Sequence, residues 1–261
     1  CATHDQTTGL RGSEVNAIAQ DQQGTLWFGT NRGLSTWNGT SWTTYTTEDG
    51  LSNNGIACVT IDHAGNVWVC YDWRGYGVSM YDGSVWTSYT ATDGLADDDV
   101  NDIAVDAEGD IWVGTYGSGV SEFDGTTWST YSDEDYNWIS DIFLDSQGNL
   151  WFSSYSNGVT VFDGIHWTTY TADDGLLADY TNTIAEDAAG NIWIGHGRLE
   201  NGGLTKFDGS TWTVYDVQDG VASNEVYAIA MDLDGRYWFG TNAGVTEYIP
   251  DGIVESIPAG T

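Results

Sequence analysis

Positive charge is what this sequence has least of. Five arginines and one lysine, Lys206, stand against 39 acidic residues, giving a formal net charge of −33 over 261 residues. A field of that sign repels nucleic acid and anionic lipid and attracts cations or cationic partners. Carboxylates spread over a surface also keep it hydrated, and a salt-rich habitat produces the same bias. Prolines number two against 34 glycines, which excludes collagen-like and proline-rich chains. No apolar run approaches the roughly 18 residues of a membrane helix, and no stretch shows the apolar stripe that an amphipathic helix needs. The four histidines, His4, His63, His166 and His196, make no zinc-spaced set with the cysteines, and neither G-x-S-x-G nor H-E-x-x-H occurs. These gaps argue against an enzyme.

Three cysteines are present. Cys1 has two readings of equal weight: the lipid-bearing cysteine of a mature bacterial lipoprotein, or merely the first residue of the sequence. A lipid on Cys1 is the only membrane contact expected. Cys58 and Cys70 flank one turn, "DHAGN". If Ile61 pairs with Val67 across it, the constant index sum of an antiparallel pair sets Cys58 opposite Cys70, within reach of a disulfide. Two small buried thiols are the alternative.

What is abundant is repetition. The pattern D-x-x-G-x-(apolar)-W occurs at Trp27, Trp68, Trp112, Trp151, Trp193 and Trp238, at spacings of 41, 44, 39, 42 and 45 residues. Each copy reads as an apolar run such as "VYAIAM", the D-x-x-G turn, a run such as "LWFGT", a glycine turn, a run such as "GVSEFDG", and a closing "TWSTY". Short runs rich in Val, Ile, Thr, Trp and Tyr, punctuated by Gly and Asp, are strands. Four per copy of about 40 residues predict an all-β, six-bladed β-propeller with four antiparallel strands per blade. The expected organisation is a terminal or closure segment at 1–12 and one propeller at 13–261. The C-terminal "DGIVESIPA" is favoured over the N-terminal "ATHDQTTGL" as the outer strand of the last copy.

The composite N-x-V-x-x-I-A-x-D-x-x-G-x-L-W-x-G-T-x-x-G-L resembles the two-component-regulator propeller repeat. In that family such repeats form periplasmic sensing regions of hybrid histidine kinases and also occur in stand-alone surface proteins. No kinase or receiver segment follows in this sequence. The phrase "GNLWF" is in addition similar to streptogramin-lyase propellers, whose reaction uses His and Glu with a divalent ion. His196 and Glu200 are the nearest match to that pair, without a second histidine.

Residues present at one position of every copy are read as architecture. The repeated Trp residues pack between blades with the indole N–H satisfied locally. The outer pairs Trp42/Tyr45, Trp86/Tyr89, Trp128/Tyr131, Trp167/Tyr170 and Trp212/Tyr215 could bind sugar, but their periodicity favours a structural role. The D-x-x-G turns, "DLDG" at Asp232 above all, resemble the opening of a calcium loop but lack the further oxygens and the closing Glu. Calcium is therefore a weak expectation, and no metal site is assigned.

Variation between copies points elsewhere. The turn after the second strand and the linker between copies emerge at one end of an antiparallel blade, where function concentrates in loops. That end gathers Tyr71, Trp73, Arg74, Tyr76, Tyr116, Tyr155, His196 and Arg198, with Arg32 nearby, as a candidate ligand-binding face. Ser13, Asn54, Asp98, Asn137, Asp179 and Asn224, one per linker, are expected to ring the mouth of a central channel. Such a face suits a hydroxyl-rich ligand. The functional expectation is a non-catalytic extracellular, periplasmic or cell-surface module of a bacterium or archaeon that binds a glycan or protein. The alternative is a structural subunit of an extracellular assembly or filament, self-associating and carrying sugars on Thr- and Ser-rich edges such as "TSWTTYTT". A lyase-like enzyme is the remote third.

Overall fold

The computed structural model describes residues 3–72, 75–132, 137–197, 202–232 and 235–249 in full, and 252–258 by backbone alone. Among the described residues, twenty-four strands form six four-stranded antiparallel sheets, each in plain sequence order. The chain divides into two compact units, residues 1–132 and 133–261. The first unit holds β1 (Val15–Gln20), β2 (Leu26–Thr30), β3 (Gly33–Trp37) and β4 (Trp42–Tyr45) as its first sheet. Its second sheet is β5 (Ile56–Ile61), β6 (Val67–Tyr71), β7 (Val78–Tyr81) and β8 (Trp86–Tyr89), and its third is β9 (Val100–Val105), β10 (Ile111–Thr115), β11 (Val120–Phe123) and β12 (Trp128–Tyr131). In the second unit the fourth sheet is β13 (Ile139–Leu144), β14 (Leu150–Ser154), β15 (Val159–Phe162) and β16 (Trp167–Tyr170). The fifth is β17 (Thr181–Glu186), β18 (Ile192–His196), β19 (Leu204–Phe207) and β20 (Trp212–Tyr215); the sixth is β21 (Val226–Met231), β22 (Tyr237–Thr241), β23 (Gly244–Ile249) and β24 (Gly252–Pro258). The C-terminal segment thus supplies the sixth sheet's fourth strand.

A sheet with apolar side chains on both faces needs a neighbour on each, and within each unit the sheets stack in order. Trp27 and Leu34 of the first sheet share a core with Leu51, Ile56, Val69 and Trp86 of the second; Trp68 and Val78 do the same with Leu95, Val100, Ile103 and Val113 of the third. In the second unit Trp151 and Val159 meet Leu176, Ile184 and Ile194, and Trp193 and Leu204 meet Val221, Val226 and Phe239. A buried Trp removes some 150–250 Å² from water, about 4–6 kcal/mol at 25 cal/mol per Å² before conformational entropy is counted.

Each repeat Trp is latched to its own turn. The aspartate of D-x-x-G accepts main-chain N–H groups on Oδ1 and the indole N–H on Oδ2: Asp21–Trp27, Asp62–Trp68, Asp187–Trp193 and Asp232–Trp238 at 3.0 Å, and Asp106–Trp112 and Asp145–Trp151 at 2.8 Å. One carboxylate therefore closes the turn and satisfies the only polar atom of a large core side chain.

The first strand of every sheet carries a register shift one residue from its start, which bends it and frees one side chain. Three of those side chains reach the following sheet: Asn16 Nδ2 donates to the Ile56 carbonyl at 2.9 Å, Ser140 Oγ to Thr181 at 2.8 Å and Asn182 Nδ2 to Val226 at 3.0 Å.

Four linkers, those before the second, third, fifth and sixth sheets, share one loop. Leu51, Leu95, Leu176 and Val221 each donate an N–H to a carbonyl five residues back, and the preceding glycine lies at positive φ. A Cβ on Gly50, Gly94 or Gly175 would fall 2.9–3.1 Å from the outer-strand Trp86, Trp128 or Trp212, so those tryptophans hold linkers. Residues 5–10 fold the same way: Leu10 N donates to the Asp5 carbonyl at 3.1 Å, and Gly9 abuts Trp42. The segment 1–12, where described, is packed against the first sheet like any linker.

Among the described residues, exposure differs between equivalent apolar positions of different sheets. Ile56, Ile139 and Val226 are 0% exposed, but Val15 at the same repeat position is 41% exposed, and Ile18 is 62% exposed where Ile103 and Ile184 are 5%. On the sixth sheet Val245 is 37% exposed where Leu34, Val78, Val120, Val159 and Leu204 are 0%.

Candidate ligand-binding site

The linkers and the turns after each second strand emerge at one end of their sheets; the D-x-x-G turns occupy the other. Several expected face residues are engaged in building that end. Tyr71 is buried, contrary to its assignment to an exposed face: its hydroxyl accepts from Ser52 N at 2.9 Å and donates to Ser79 Oγ at 2.6 Å, and burial raises its pKa. Elsewhere a hydroxyl of the third strand accepts the equivalent N–H directly, as Ser35 does from Arg11 at 3.0 Å and Ser121 from Ala96 at 2.7 Å. His196 is also buried, with Nε2 2.7 Å from Thr205 Oγ1. Desolvation holds its pKa down at about 4, against the pull of main-chain groups at Tyr180 and Ala178 and the charge of Asp179. It is a neutral core imidazole and presents nothing to a ligand or to the proposed lyase chemistry.

Tyr76 is exposed, with its ring 6.1 Å from that of Tyr71; Tyr116 and Tyr155 are half-buried, and Tyr155 lies 5.2 Å from Tyr180. Cys1, Trp73, Arg74, Arg198 and Glu200 lie outside the described residues. Of the expected channel-mouth residues, three turn back into their own linkers: Asn54 Oδ1 accepts from Thr47 N at 2.9 Å, Asp98 Oδ1 from Ala91 N at 2.6 Å and Asp179 Oδ1 from Ala172 N at 2.7 Å. A linker crossing between sheets has main-chain donors to satisfy, and these side chains satisfy them. Ser13 is exposed, and Asn137 and Asn224 are half-buried.

Cys58 and Cys70 pair in register, 5.1 Å apart at Cα, and form a disulfide. The D-x-x-G carboxylates are used by their own turns, and no cluster of three metal-ligating side chains occurs among the described residues.

In the first unit the loop end contains a cavity of about 710 Å³, lined by Gln6, Arg11, Asn31, Arg32, Thr44 and Asn54 over a floor of Gly9 and Leu10. The two-residue turn Asn31–Arg32 is fixed from below: Arg32 N donates to Thr30 Oγ1 at 3.2 Å, Thr30 Oγ1 to the Gly33 carbonyl at 2.7 Å, and Asn31 Nδ2 to Glu14 Oε2 at 3.1 Å. Gly33 has φ +136°, and a Cβ there would lie 2.7 Å from the Tyr45 carbonyl and 3.7 Å from Arg11 Cγ. The Arg11 stem therefore lies over the turn that carries Arg32. Both arginines are exposed, and the ion pairs among the described residues belong to Arg236 and His166. The sequence points to Arg32 through its turn; Arg11 was missed, because it sits in a segment read as a tail.

The model of the two component regulator propeller family matches residues 9–32, 94–117, 133–156, 175–198 and 220–243. The second copy, where Cys70 and Tyr71 replace the "GT" of the repeat, falls outside these segments. No curated protein sequence matches the chain. Among solved structures, the extracellular domain of a protein described as a hybrid two component system from B. thetaiotaomicron is 21% identical, with a TM-score of 0.62 over 93% of this chain and 40% of its own. Virginiamycin B lyase from Staphylococcus aureus is 16% identical, with a TM-score of 0.74 over 95% of this chain and 85% of its own. PorZ, a bacterial surface component of the type-IX secretion system of Porphyromonas gingivalis, is 15% identical, with a TM-score of 0.66 over 95% and 46%. The chain spans about two fifths of the length of the extracellular domains it matches. At such identities the likeness is one of fold, and that fold is shared by extracellular domains of one and two component systems, a secretion component and an enzyme. No helix among the described residues is long and apolar enough to cross a membrane. In these five segments, which make up less than half of the chain, the sequence is similar to the repeat of the two component regulator propeller family.

Proposed function

We propose that this chain is a non-catalytic recognition module, a six-bladed propeller working outside the cytoplasm, whose loop end binds a polar ligand such as a glycan. The observation that carries this reading is the cavity at the first sheet. It lies where turns and linkers converge, and it carries two arginine side chains that the repeat does not require. Exposed Tyr76 and half-buried Tyr116 and Tyr155 offer stacking surfaces on the same end of their own sheets. The disulfide favours an oxidising compartment. An oligosaccharide array probed with the full chain, Thr44→Trp and Gln6→Ala tests it. Binding that both substitutions weaken supports the reading, whereas binding unaffected by either, or none at all, sinks it.

A second reading rests on the exposed apolar positions of the first and sixth sheets. Each is a surface that a neighbouring repeat covers elsewhere in this chain. If a second copy covers these positions, the chain is a subunit of a head-to-tail assembly. Light scattering across concentrations tests this, and Ile18→Asp should dissociate an assembly but leave a monomer's mass unchanged.

A further inference from the structure

The first sheet's cavity has the opposite sign to the rest of the molecule. The chain carries 39 acidic and 6 basic residues, yet none of the eight residues lining this cavity is acidic and two are arginines. We propose that it is a binding site for an acidic saccharide, with the guanidinium groups of Arg11 and Arg32 holding a carboxylate or sulfate and the amides of Asn54 and Gln6 serving the hydroxyls. This deepens the recognition reading above and rests on it.

The repeat itself shows that the two arginines are not structural. Ser52, Ala96, Leu177 and Ala222 occupy the position of Arg11 in other copies. Their N–H groups make the contact that Arg11 N makes, to a hydroxyl of their own sheet, without a cationic side chain. Ala243 occupies the position of Arg32 in the last copy, where Asn242 donates to Glu225 as Asn31 does to Glu14, at 2.8 Å and 3.1 Å. The turn and linker thus form equally well without positive charge.

Among the described residues, neither guanidinium is paired with a carboxylate. Glu14 stands beside the turn, but its carboxylate accepts from the Asn31 amide. In a chain of this net charge a nearby acid would be the easiest neutralising partner to place. Planar guanidinium groups suit carboxylate or sulfate oxygens in paired geometry, and amide and hydroxyl side chains both donate to and accept from sugar hydroxyls. A cavity of about 710 Å³ is of the size that small-ligand sites take.

The test is calorimetric titration of the full chain with a galacturonic-acid trisaccharide, a sulfated galactose trisaccharide, the neutral galactose trisaccharide and inorganic sulfate. At least one acidic sugar is expected to bind tenfold or more tightly than the neutral one. Which acidic sugar binds identifies the oxyanion, and sulfate alone is expected to bind weakly for want of hydroxyls. Arg11→Gln and Arg32→Gln should each remove most of the preference without changing the circular dichroism spectrum, and Arg236→Gln should leave it intact. Acidic sugars binding no better than the neutral one, or a preference that survives both substitutions, overturns this inference and leaves the recognition reading standing. Failure of all four probes to bind overturns it as well, and the recognition reading then depends on the oligosaccharide array.

Discussion

Substituting Asp187 by alanine tests the latch on which every sheet depends. Asp187 Oδ1 accepts Ala189 N and Asn191 N, each at 2.9 Å, and Oδ2 accepts Asn191 Nδ2 at 2.7 Å and Trp193 Nε1 at 3.0 Å. Ala189 is exposed, so its N–H regains water on substitution. Trp193 is 1% exposed, and its indole N–H does not. Leaving that donor unpaired costs about 1–3 kcal/mol, and the other charge-assisted bonds to the turn bring the expected loss to about 2–4 kcal/mol. That is a large part of the roughly 5–15 kcal/mol typical of a domain. The cycle of Asp187→Ala, Trp193→Phe and the double variant, followed by urea denaturation and circular dichroism, isolates the pair. The double variant should be more stable than the sum of the singles predicts by about 1.5–3 kcal/mol. Burial pushes the Asp187 pKa up, but the bonds from Asn191 and Trp193 outweigh it and hold the group below its ordinary 3.8. The coupling is therefore fully present above pH 4 and fades as pH falls through the lowered value. Singles that add within about 0.5 kcal/mol at pH 7 would refute the latch.

Two further outcomes are expected. Cys58 and Cys70 are 12 residues apart in sequence, so replacing both with alanine should cost about 3 kcal/mol on the chain-entropy account; equal stability of the oxidised, reduced and Ala/Ala proteins counts against it. His196 is neutral in the folded chain down to about pH 4, against 6.5 unfolded. Its contribution is complete above pH 6.5 and lost as pH falls to 4, by roughly 3 kcal/mol. The stability of His196→Gln should lack that part of the acid slope, and parallel slopes for both proteins would contradict the burial.

The strands, the sheet order and the cysteine pairing were legible because each depends on short-range pattern. A constant index sum across a five-residue turn needs no tertiary information. The placements of Tyr71 and His196 failed for a reason the repeat could have supplied. Both align with Thr30, Thr115 and Thr241, the last residues of β2, β10 and β22, and four of these five side chains are buried, Thr241 being half-buried. Reading the longer loops of those copies as beginning at Cys70 and Gly195, two residues too early for strands that run to Tyr71 and His196, moved two core side chains to the surface. The displaced register at each first strand was not legible, because a bulge is a property of the pairing and leaves no composition signal. The linker role of Asn54, Asp98 and Asp179 was hidden likewise: only the folded loop shows that main-chain donors seven residues upstream need them.

Repetition also decides which residues are left for function. A position that recurs in every sheet is committed: the Asp to the indole, the linker leucine or valine to the inter-sheet core, the outer Trp to a linker glycine. Mutating such a residue unfolds a sheet before it informs on binding, so aromatic abundance in this chain is a poor guide to a sugar site. Positions where one copy departs from the others carry no such commitment, and a departure that also opposes the chain's charge has a cost that architecture does not repay. Placing Arg11 and Arg32 together over one turn brings two like charges close, and among the described residues no carboxylate pairs with either. A bound oxyanion is the partner that the arrangement lacks, which is why the first sheet rather than the aromatic-rich second is the place to look for a ligand.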